Sequence, residues 1–475
     1  MLFLRLTHRG PDFVELELRP NDFYIVTAVG YARSLTIYSA FFAFTPANAY
    51  PLARMASLTY RELLSSNRNF RNLLAGQVIS ELGNWFNFIA GLGLVRLVSD
   101  ASPTAAGVFF VCRLLPFAVA SPIAGTFVDR FSRRQVMIAM DLARVVVALM
   151  YLLVSSPQTL WIAYAATILL STFGAFFEGA KNATTPNLTG KEGLLAGTAL
   201  MFSSRFLLMA VGSALGGWAS AAFGYKVAFL INAFSFLVSA YTVWLIPQEA
   251  TRDQDAADRM SGKTARESFI AELREGLNYT ISNRFALTIL IMNVIWATGG
   301  GAINVIFERG GGIYFAQKEH WDPDIAVAVL WTASGFGLTL GMLIAHRTSV
   351  FLDRKRMNHA FVGWALIVHG LLFSLAGLMP TLILFAVFVF ISRAIVGVEY
   401  AVQETMFQRS LPDYIRGRIS TLDRGAEMTM FGLSSYFASE AMYYISPITL
   451  TVISGLLSAS SGVVWFGREK PASHD

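Results

Sequence analysis

From residue 72 onward, the sequence is a series of apolar runs, each about 20 residues long, separated by polar stretches. A helix of that length crosses the hydrocarbon core of a bilayer, which is roughly 30 Å thick. The backbone must be helical there, because unpaired peptide groups are too costly in lipid. We therefore predict an all-α membrane protein with twelve transmembrane spans, at 73–97, 104–128, 135–154, 160–178, 194–220, 226–246, 286–306, 325–345, 358–378, 381–402, 419–443 and 447–466.

The composition excludes an ordinary soluble chain of this length. Of the 475 residues, 55% are hydrophobic and 14% are charged, whereas soluble domains carry about 25% charged residues. The net charge of +6 is typical of a membrane protein that keeps Lys and Arg in its cytoplasmic loops, so we do not predict nucleic-acid binding. The single cysteine, Cys112, excludes a disulfide within the chain, and the six histidines show no metal-ligand spacing. We expect no metal and no cofactor.

Basic residues are distributed unevenly between the two sets of loops. If residue 72 is cytoplasmic, most Lys and Arg lie on the cytoplasmic side. The opposite side then holds Lys226, Arg309 and Lys318, with Arg96 near the boundary. Such an asymmetry between short loops indicates membrane orientation by the positive-inside rule. We therefore predict that residue 72 and the C-terminus face the cytoplasm.

The longest polar segment, 247–285, divides the predicted spans into two sets of six. We predict an N-terminal six-helix bundle at 67–246, a C-terminal six-helix bundle at 286–466 and a cytoplasmic tail at 467–475. A division of this kind is typical of transporters built from repeats, whose halves are related by an axis along the membrane normal. The second half of the linker, 264–282, has apolar residues at helical spacing, which predicts an amphipathic helix on the cytoplasmic surface.

Residues 1–66 do not fit this pattern. The stretch 23–44 is apolar, but Arg33 at its centre makes it a poor transmembrane span. It also lacks the uninterrupted core and the cleavage site of a signal peptide. The sequence that begins at Met55 has the character of a natural cytoplasmic start. We expect 1–66 to be an N-terminal extension, poorly ordered or upstream of the natural start, and we expect deletion of 1–54 to leave membrane insertion intact.

The loop between spans two and three carries the strongest local motif, Gly-x-x-x-Asp-Arg-x-x-Arg-Arg. Glycine permits close contact between helices, and an Asp at a helix end can face the positive N-terminus of another helix. An ordinary positive-inside loop would explain the arginines but not the rest of the pattern. The motif predicts a conformational switch formed by Gly125, Asp129, Arg130, Arg133 and Arg134.

With this loop, the chain resembles the major facilitator superfamily, and more narrowly the exporter branch that contains enterobactin exporters and macrolide efflux proteins. The other residues that carry the resemblance, which spans 67–466, are Asn69, Phe70, Arg71, Gly76, Gln77, Gly83, Asn84, Trp85, Arg113, Pro116, Pro122, Gly125 and a second-half loop motif of Pro412, Arg416, Gly417 and Arg418.

This resemblance implies the major facilitator fold of two six-helix bundles. It also implies a monomeric secondary transporter in the bacterial cytoplasmic membrane that exports a small organic molecule, such as a drug-like compound or a siderophore, by proton antiport. In such a protein, Asp129 would meet a helix of the other bundle near residue 419 whenever the cytoplasmic side is closed.

Two positions depart from the family pattern. Span five has Gly212-Ser213 where antiporters of the superfamily usually carry Gly-Pro. The proline kink is therefore absent, although Gly212, Gly216 and Gly217 still form a helix-packing motif. Span four lacks the arginine that many proton antiporters of the superfamily place there. Both departures weaken the inference of antiport.

Ionisable residues inside the spans are costly and normally face a cavity or a partner. Asp141 and Arg144 are three residues apart, share a helix face and can form a pair. Glu81 has no charged neighbour on its helix within one turn, so we rank it above Asp141 as the residue that binds a coupling proton. The other candidates for proton coupling or for a cavity are Arg113, Arg205, Arg393 and Glu399, followed by Glu404 at the end of span ten and by Asp423, Arg424 and Glu427 in span eleven.

Three alternatives compete with a small-molecule exporter. A transporter of lysophospholipid-type lipids would share the same fold. A membrane-embedded enzyme would need a nucleophile and base or metal ligands at membrane depth, but His369, the one histidine well inside a span, has no accompanying motif. A pore would need rings of repeated selectivity residues. We therefore predict a transporter and not an enzyme, and the cargo stays open because a fold does not determine its substrate.

Overall fold

The computed structural model describes residues 7–8, 14–15, 58–128, 131–251 and 265–469. The chain divides into two compact units, Met1–Met55 and Ala56–Asp475. In the first unit, strand β1 (Thr7–His8) pairs antiparallel with strand β2 (Val14–Glu15). The described parts of the second unit are built from helices and contain all of the predicted spans.

In chain order, the helices of the second unit are α1 (Tyr60–Ser66), α2 (Arg68–Val98), α3 (Pro103–Val128), α4 (Arg133–Met150), α5 (Leu160–Phe223), α6 (Tyr225–Trp244), α7 (Ala265–Ser282), α8 (Arg284–Ile306), α9 (Ala316–Glu319), α10 (Pro323–Lys355), α11 (Asn358–Gly377), α12 (Leu382–Ser410), α13 (Asp413–Ala441) and α14 (Pro447–Arg468). Within the described residues, eleven helical segments are long and apolar enough to cross a membrane. The predicted all-α membrane fold is confirmed.

Helix α13 stands where span eleven was predicted, at 419–443, but it is too polar to be counted as a span by its composition. Its polar character comes from charged residues such as Asp423, Arg424 and Glu427. The helix packs against α3, α7 and α8, and charges on a face that is covered by other helices avoid lipid. The predicted number of twelve spans is therefore not confirmed, since eleven described segments have the required length and apolarity.

Helix α5 contains the predicted spans four and five in one segment of 64 residues. We expected a loop at 179–193, but the helix continues to Gly190, where φ is 63° and the chain bends. The polar residues of this stretch are accommodated in the helix, because Thr184, Thr185 and Thr189 each donate a hydrogen bond to the carbonyl four residues earlier. The stretch expected to be a loop is therefore helical as far as Gly190.

Helix α8 continues beyond the predicted end of span seven at residue 306. It passes directly into a π-helix at Phe307–Phe315 and then into α9. The π-helix contains three consecutive glycines, 310–312, and its wider turn changes the direction of the side chains that follow. Glu308 lies in this segment and is 1% exposed. The extension therefore places a carboxylate inside the protein and not in an outer loop.

Helices α2 to α6 pack among themselves, and helices α8 and α10 to α14 do the same. We call these groups the first and the second helix set. The sets are connected mainly by two helix pairs, α5 with α10 and α3 with α13. Glycine permits the close approach, because a Cβ on Gly335 of α10 would lie 2.5 Å from the backbone nitrogen of Ala210 in α5.

Part of the predicted extension 1–66 is an ordered helix. Thr59 caps α1, and its hydroxyl accepts a hydrogen bond from the backbone N–H of Glu62 at 3.3 Å. Leu63 is fully buried in a cluster with Leu188 of α5. Helix α7 of the linker lies against α13 and α8. The remaining predictions for Arg33, for the first part of the linker at 252–264 and for the tail at 470–475 concern positions outside the described residues.

Candidate functional site

The long helices of both sets have two ends, which we name after one residue each. At the Arg96 end, α2 ends and α3 and α10 begin. At the Gly190 end, α2 begins and α3 and α10 end. The candidate site consists of charged and aromatic groups that lie between these two ends and at the boundary of the two helix sets.

Arg96 forms a buried ion-pair network that joins the two helix sets. Its guanidinium pairs with Asp324 at the start of α10 and lies 3.4 Å from Oε1 of Glu308 in the π-helix. The side chains of Arg96, Asp324 and Glu308 are 10%, 8% and 2% exposed. The ring and hydroxyl of Tyr225, at the start of α6, lie beside the Asp324 carboxylate. One cation of the first set therefore forms ion pairs with two carboxylates of the second set.

Two glycines leave the space that this network occupies. A Cβ on Gly93 of α2 would lie 2.5 Å from Oδ1 of Asp324. A Cβ on Gly312 of the π-helix would lie 2.5 Å from Nη1 of Arg96. Both distances are shorter than a van der Waals contact, so a larger residue at either position would displace a charged group.

Further hydrogen bonds join α3 to α13 at the Arg96 end. Thr104 Oγ1 donates to Oε1 of Glu440 at 2.7 Å. Ser439 Oγ donates to the backbone carbonyl of Pro103. The Arg96 end is thus closed by contacts in two places, the ion pairs beside α10 and these hydrogen bonds between α3 and α13.

An aromatic cluster lies between the helix sets, deeper than the ion pairs. The ring of Trp331 in α10 has its centroid 5.5 Å from that of Trp85, 5.2 Å from Phe88 and 5.2 Å from Phe307. We call these four residues the aromatic cluster. The guanidinium carbon of Arg113 lies 4.4 Å from the centre of the Phe88 ring, within range of a cation–π interaction. The cluster therefore combines apolar surface from both sets with one adjacent cation.

The close contacts between the sets lie in the half of the helices nearer the Arg96 end. They involve 210–217 with 324–335 in α5 and α10, and 103–115 with 432–443 in α3 and α13. At the Gly190 end of α12 and α13 there is instead an open cavity of about 350 Å³, lined by Glu404, Thr405, Gln408, Arg409 and Arg416. This cavity lies within the second helix set, since all five lining residues belong to α12 and α13.

Three of the residues proposed from the sequence lie together in the first helix set. Glu81 is half-buried and accepts a hydrogen bond from Nδ2 of Asn84 at 3.3 Å. The Glu81 carboxylate interacts electrostatically with Arg113, and Arg205 is near enough to Arg113 to repel it. Because Arg113 also contacts Phe88, this charged group is adjacent to the aromatic cluster.

Asp141 and Arg144 form a separate ion pair. Their side chains are 0% and 5% exposed. The guanidinium carbon of Arg144 lies 4.5 Å from the ring centre of Phe177 in α5 and 4.4 Å from that of Phe236 in α6. A pair enclosed between two rings holds three helices together, and this geometry favours a packing role for Asp141 over proton coupling.

Arg393 and His369 lie together in the second helix set. His369 Nε2 accepts a hydrogen bond from Trp296 Nε1 at 3.1 Å, and its Nδ1 is 3.3 Å from Ser392 Oγ. Ser392 donates its own proton to the His369 carbonyl, so Nδ1 carries the hydrogen and both ring nitrogens have partners. Arg393 is 7% exposed and lies 5.9 Å from the Phe373 ring centre. His369 is thus bonded as a core residue.

Glu399 is 3% exposed and lies near the acidic residues of α13. There, Arg424 and Glu427 form an ion pair at 3.1 Å. Asp423 accepts a hydrogen bond from Asn293 Nδ2 at 2.9 Å. The structure thus brings four of the second-half residues proposed from the sequence into one region.

The switch motif between α3 and α4 is described in part. Arg133 Nη1 donates to the carbonyl of Ala183 at 2.8 Å, and Arg134 Nη2 donates to the carbonyl of Trp244 at 2.5 Å. These bonds tie the start of α4 to α5 and α6, which belong to the same set. Asp129 and Arg130 lie outside the described residues, as do the surroundings of Gly125.

The glycines of the helix-packing motif face two neighbouring helices, α2 and α10. A Cβ on Gly212 would lie 2.7 Å from Cβ of Trp85, and one on Gly216 would lie 3.0 Å from the backbone of α2. Gly217 faces the other set and touches Ala328 of α10. These glycines thus stand where α5 contacts both α2 and α10.

The second-half loop motif lies at the start of α13. Pro412 precedes the helix, and Arg416 Nη2 donates to the carbonyl of the residue before this proline at 3.0 Å. Arg418 pairs with Glu275 of α7 at 2.5 Å. Nothing lies within 4 Å of the position that a Cβ on Gly417 would occupy. The motif thus attaches the linker helix to α13.

Five residues of these networks were not identified from the sequence. Glu308 lies two residues after a predicted span, and Asp324 and Tyr225 each directly precede one, so all three resembled ordinary helix-end residues. Glu178 and Lys181 pair at 2.7 Å, but residue 181 was assigned to a loop. Their spacing of three residues is the signal that would have revealed this pair.

Among the described positions, no group of three His, Cys, Asp or Glu side chains is arranged to hold a metal ion. Cys112 is a buried thiol in α3. The site that the structure presents is therefore one of charged and aromatic side chains.

Comparison with known proteins identifies the family. The sequence profile of the Major Facilitator Superfamily matches residues 73–434. The uncharacterized MFS-type transporter YfiS of Bacillus subtilis is 29% identical over 219 residues, which cover 46% of this chain and 51% of that protein, so the match spans about half the length of YfiS. Macrolide efflux protein A of Enterococcus faecalis is 24% identical over 65% of this chain and 92% of its own length. Multidrug efflux pump Tap of Mycolicibacterium fortuitum is 25% identical over 73% of this chain and 82% of its own.

Solved structures show the same fold. The nucleoside transporter NupG has a TM-score of 0.61 at 13% identity, covering 84% of this chain and 99% of its own. A bacterial homologue of the iron transporter ferroportin in the inward-facing state has a TM-score of 0.62 at 14% identity, covering 84% of this chain and 98% of its own. The named relatives are transporters, and the family that the sequence motifs predicted is confirmed. The chain belongs to the Major Facilitator Superfamily and is a multi-pass membrane transporter, not an enzyme.

Proposed function

We propose that this chain exports a small organic molecule, a drug-like compound or a siderophore, across the bacterial cytoplasmic membrane in exchange for protons that move inward. Its relatives include macrolide efflux protein A and multidrug efflux pump Tap, which supports export over import. In this account the protein acts as a monomer within the lipid bilayer, with the small-molecule cargo and protons as its partners.

The Arg96 network is the observation that carries this proposal. A secondary transporter needs a central site that is reachable from one side of the membrane at a time. Ion pairs from Arg96 to Asp324 and Glu308 join the two helix sets at one end. This arrangement fits one state of an alternating-access cycle.

The orientation of this state follows from the positive-inside rule. Basic residues are concentrated at the Gly190 end, among them Arg133, Arg134, Lys355, Arg356 and Arg418. We therefore assign the Gly190 end to the cytoplasm. The Arg96 network then joins the two sets on the outer side of the membrane, and it would have to break when an exporter releases its cargo outward.

The proposed cargo site lies between the aromatic cluster and the charged group of Glu81, Arg113 and Arg205. Trp85 and Trp331 supply apolar faces from both sets. A molecule bound there would contact both sets, so its binding would depend on the distance between them. Glu81 supplies an acceptor for a basic amine, since it is half-buried and not locked in a direct ion pair. We expect the cargo to be an amphiphile with an aromatic or apolar body.

Transport by the purified protein in proteoliposomes tests this proposal. Ethidium and the macrolide erythromycin serve as probes, with protein-free liposomes and the ionophore nigericin as controls. An acidic lumen should drive accumulation of a probe through molecules whose Gly190 end faces outward, and nigericin should abolish the accumulation. Equal uptake with and without the protein would contradict export of such compounds.

The same vesicles test the lipid alternative. A fluorescent lysophospholipid placed in one leaflet would be moved to the other by a lipid transporter of this fold. We expect no acceleration of its movement by this protein. Rapid movement of the lipid, with no uptake of ethidium or erythromycin, would favour the lipid function and contradict the proposed one.

A further inference from the structure

Glu399 of α12 is a buried carboxyl group without a partner in the described structure. The residue is 3% exposed, and its Oε1 has no hydrogen-bond donor. Among the described residues we also find no cation that forms an ion pair with it. An isolated charge at this depth would be very costly, so the group requires either a counter-ion or a proton.

The neighbouring charge has the wrong sign to be a counter-ion. Glu427 of α13, 6% exposed, is near enough to Glu399 for electrostatic interaction. The charge of Glu427 is already matched by Arg424 at 3.1 Å. Arg424 also bonds to the hydroxyl of Tyr400 and is 47% exposed in its side chain.

The other acidic residues of this region each have a hydrogen-bond donor. Asp423 accepts a hydrogen bond from the side-chain amide of Asn293 at 2.9 Å. The Asn293 oxygen in turn accepts one from the side-chain amide of Gln403 at 2.9 Å. Glu404 accepts a hydrogen bond from the side-chain amide of Gln408 at 2.6 Å. Glu399 therefore differs from its neighbours, because it combines the deepest burial with the absence of any donor.

We propose that Glu399 is the proton-binding residue of the transport cycle, and that it holds a proton in the conformation described. This inference rests on the proposed antiport function. When the O–H bond of the Glu399 carboxyl breaks, the proton passes to water at the Gly190 end, by way of Glu427 beside the partly exposed Arg424, and a carboxylate stays behind. No electrons are transferred. Helix α10 seals the other side, where Gly341 packs against Gly397 of α12.

The proposal reassigns a role that the sequence had given first to Glu81 and then to Asp141. Asp141 has Arg144 as a direct partner. Glu81 has Asn84 as a donor and Arg113 as a nearby cation. Both residues therefore have a partner in this conformation, whereas Glu399 has none among the described residues.

Infrared difference spectroscopy of the reconstituted protein tests the proposal without any cargo. As the bulk pH is raised, the C=O stretching band of a buried protonated carboxyl should disappear in the unmodified protein. That band should be absent in Glu399→Gln, displaced in Glu399→Asp, and retained in the control Glu192→Gln, whose side chain is exposed. A band of unchanged intensity in Glu399→Gln would overturn the proposal.

Transport measurements separate failure of this inference from failure of the proposed function. With ethidium as the probe, Glu399→Gln should lose its response to a pH gradient, so the ratio of uptake with and without the gradient falls to unity, while downhill exchange persists. Glu192→Gln should respond like the unmodified protein. If the unmodified protein responds and Glu399→Gln responds equally, Glu399 is not the coupling residue. If the unmodified protein itself does not respond, antiport is wrong, and the infrared band alone decides whether Glu399 is protonated.

Discussion

Arg96 of α2 and Asp324 of α10 are 228 residues apart in the sequence and form a buried ion pair between the two helix sets. Glu308, from a third segment, completes the network at 3.4 Å from Arg96. Removing one partner of a buried pair typically costs about 3–5 kcal/mol, because the remaining charge is left without compensation. The stability of the closed Arg96 end should therefore depend strongly on Arg96 itself.

The first prediction compares two neutral substitutions in this network. Arg96→Gln removes the cation that pairs with both buried carboxylates, whereas Asp324→Asn leaves Arg96 paired with Glu308. Arg96→Gln should open the Arg96 end more often, which is measured as faster maleimide labelling of Ser102→Cys in a Cys112→Ser background. Asp324→Asn should label at an intermediate rate. Equal labelling of all three proteins would show that the ion pairs do not hold this end closed.

The second prediction concerns the glycines that make room for the network. Gly312→Ala places a Cβ 2.5 Å from Arg96 Nη1 and 2.8 Å from Val327, so the guanidinium must move away from its partners. Gly310→Ala, in the same π-helix, meets its nearest atom at 3.8 Å and is a matched control. Gly312→Ala should increase labelling of Ser102→Cys several-fold, and Gly310→Ala should not. A similar effect of both substitutions would indicate a general change in the π-helix.

The third prediction separates Glu81 from Asp141. Asp141→Asn leaves Arg144 buried between two rings without its partner, so it should lower the unfolding free energy by about 3–5 kcal/mol. The folded fraction should keep its response to a pH gradient. Glu81→Gln should fold normally and raise the KM for ethidium, a cation, more than that for an uncharged probe. Thermal unfolding in detergent and uptake by proteoliposomes measure the two effects. Loss of the pH response in Glu81→Gln would restore Glu81 as the coupling residue.

The fourth prediction rests on the sequence motif between α3 and α4. In the sequence, Asp129 directly follows Val128, the last residue of α3. We expect it to contact the other set when the Gly190 end closes, with the positive N-terminus of α13 as its partner. Asp129→Asn should slow transport and leave the affinity for ethidium within a few-fold. A large loss of affinity with normal turnover would contradict a role in conformational exchange.

The sequence alone predicted most of the fold, because transmembrane helices follow from local hydropathy and loop charge. It failed where local composition was misleading. The stretch 179–193 between two predicted spans was expected to be a loop, but the hydroxyls of Thr184, Thr185 and Thr189 bond within the helix. The charges of α13 made that helix more polar than a span, since they lie against other helices and not against lipid.

The site was less predictable, because it depends on residues that are distant in the sequence. Asp141 and Arg144 were recognisable as a pair from their spacing, and the structure contains that pair. The contacts of Arg96 with Glu308 and Asp324 had no such local signal, since they span 212 and 228 residues. Glu399 was identifiable as a deep charge, but its lack of a partner depends on how α12 packs against α10 and α13.

A cross-linking experiment tests whether the Arg96 end must open during transport. Thr104 and Glu440 contact each other across the two helix sets, with their oxygens 2.7 Å apart. In a Cys112→Ser background, the double variant Thr104→Cys and Glu440→Cys can be joined by a short bis-methanethiosulfonate reagent. The cross-linked protein should bind ethidium but not transport it, transport should return on reduction, and the single-cysteine variants should be unaffected by the reagent. Transport at an unchanged rate by fully cross-linked protein would contradict alternating access through this end.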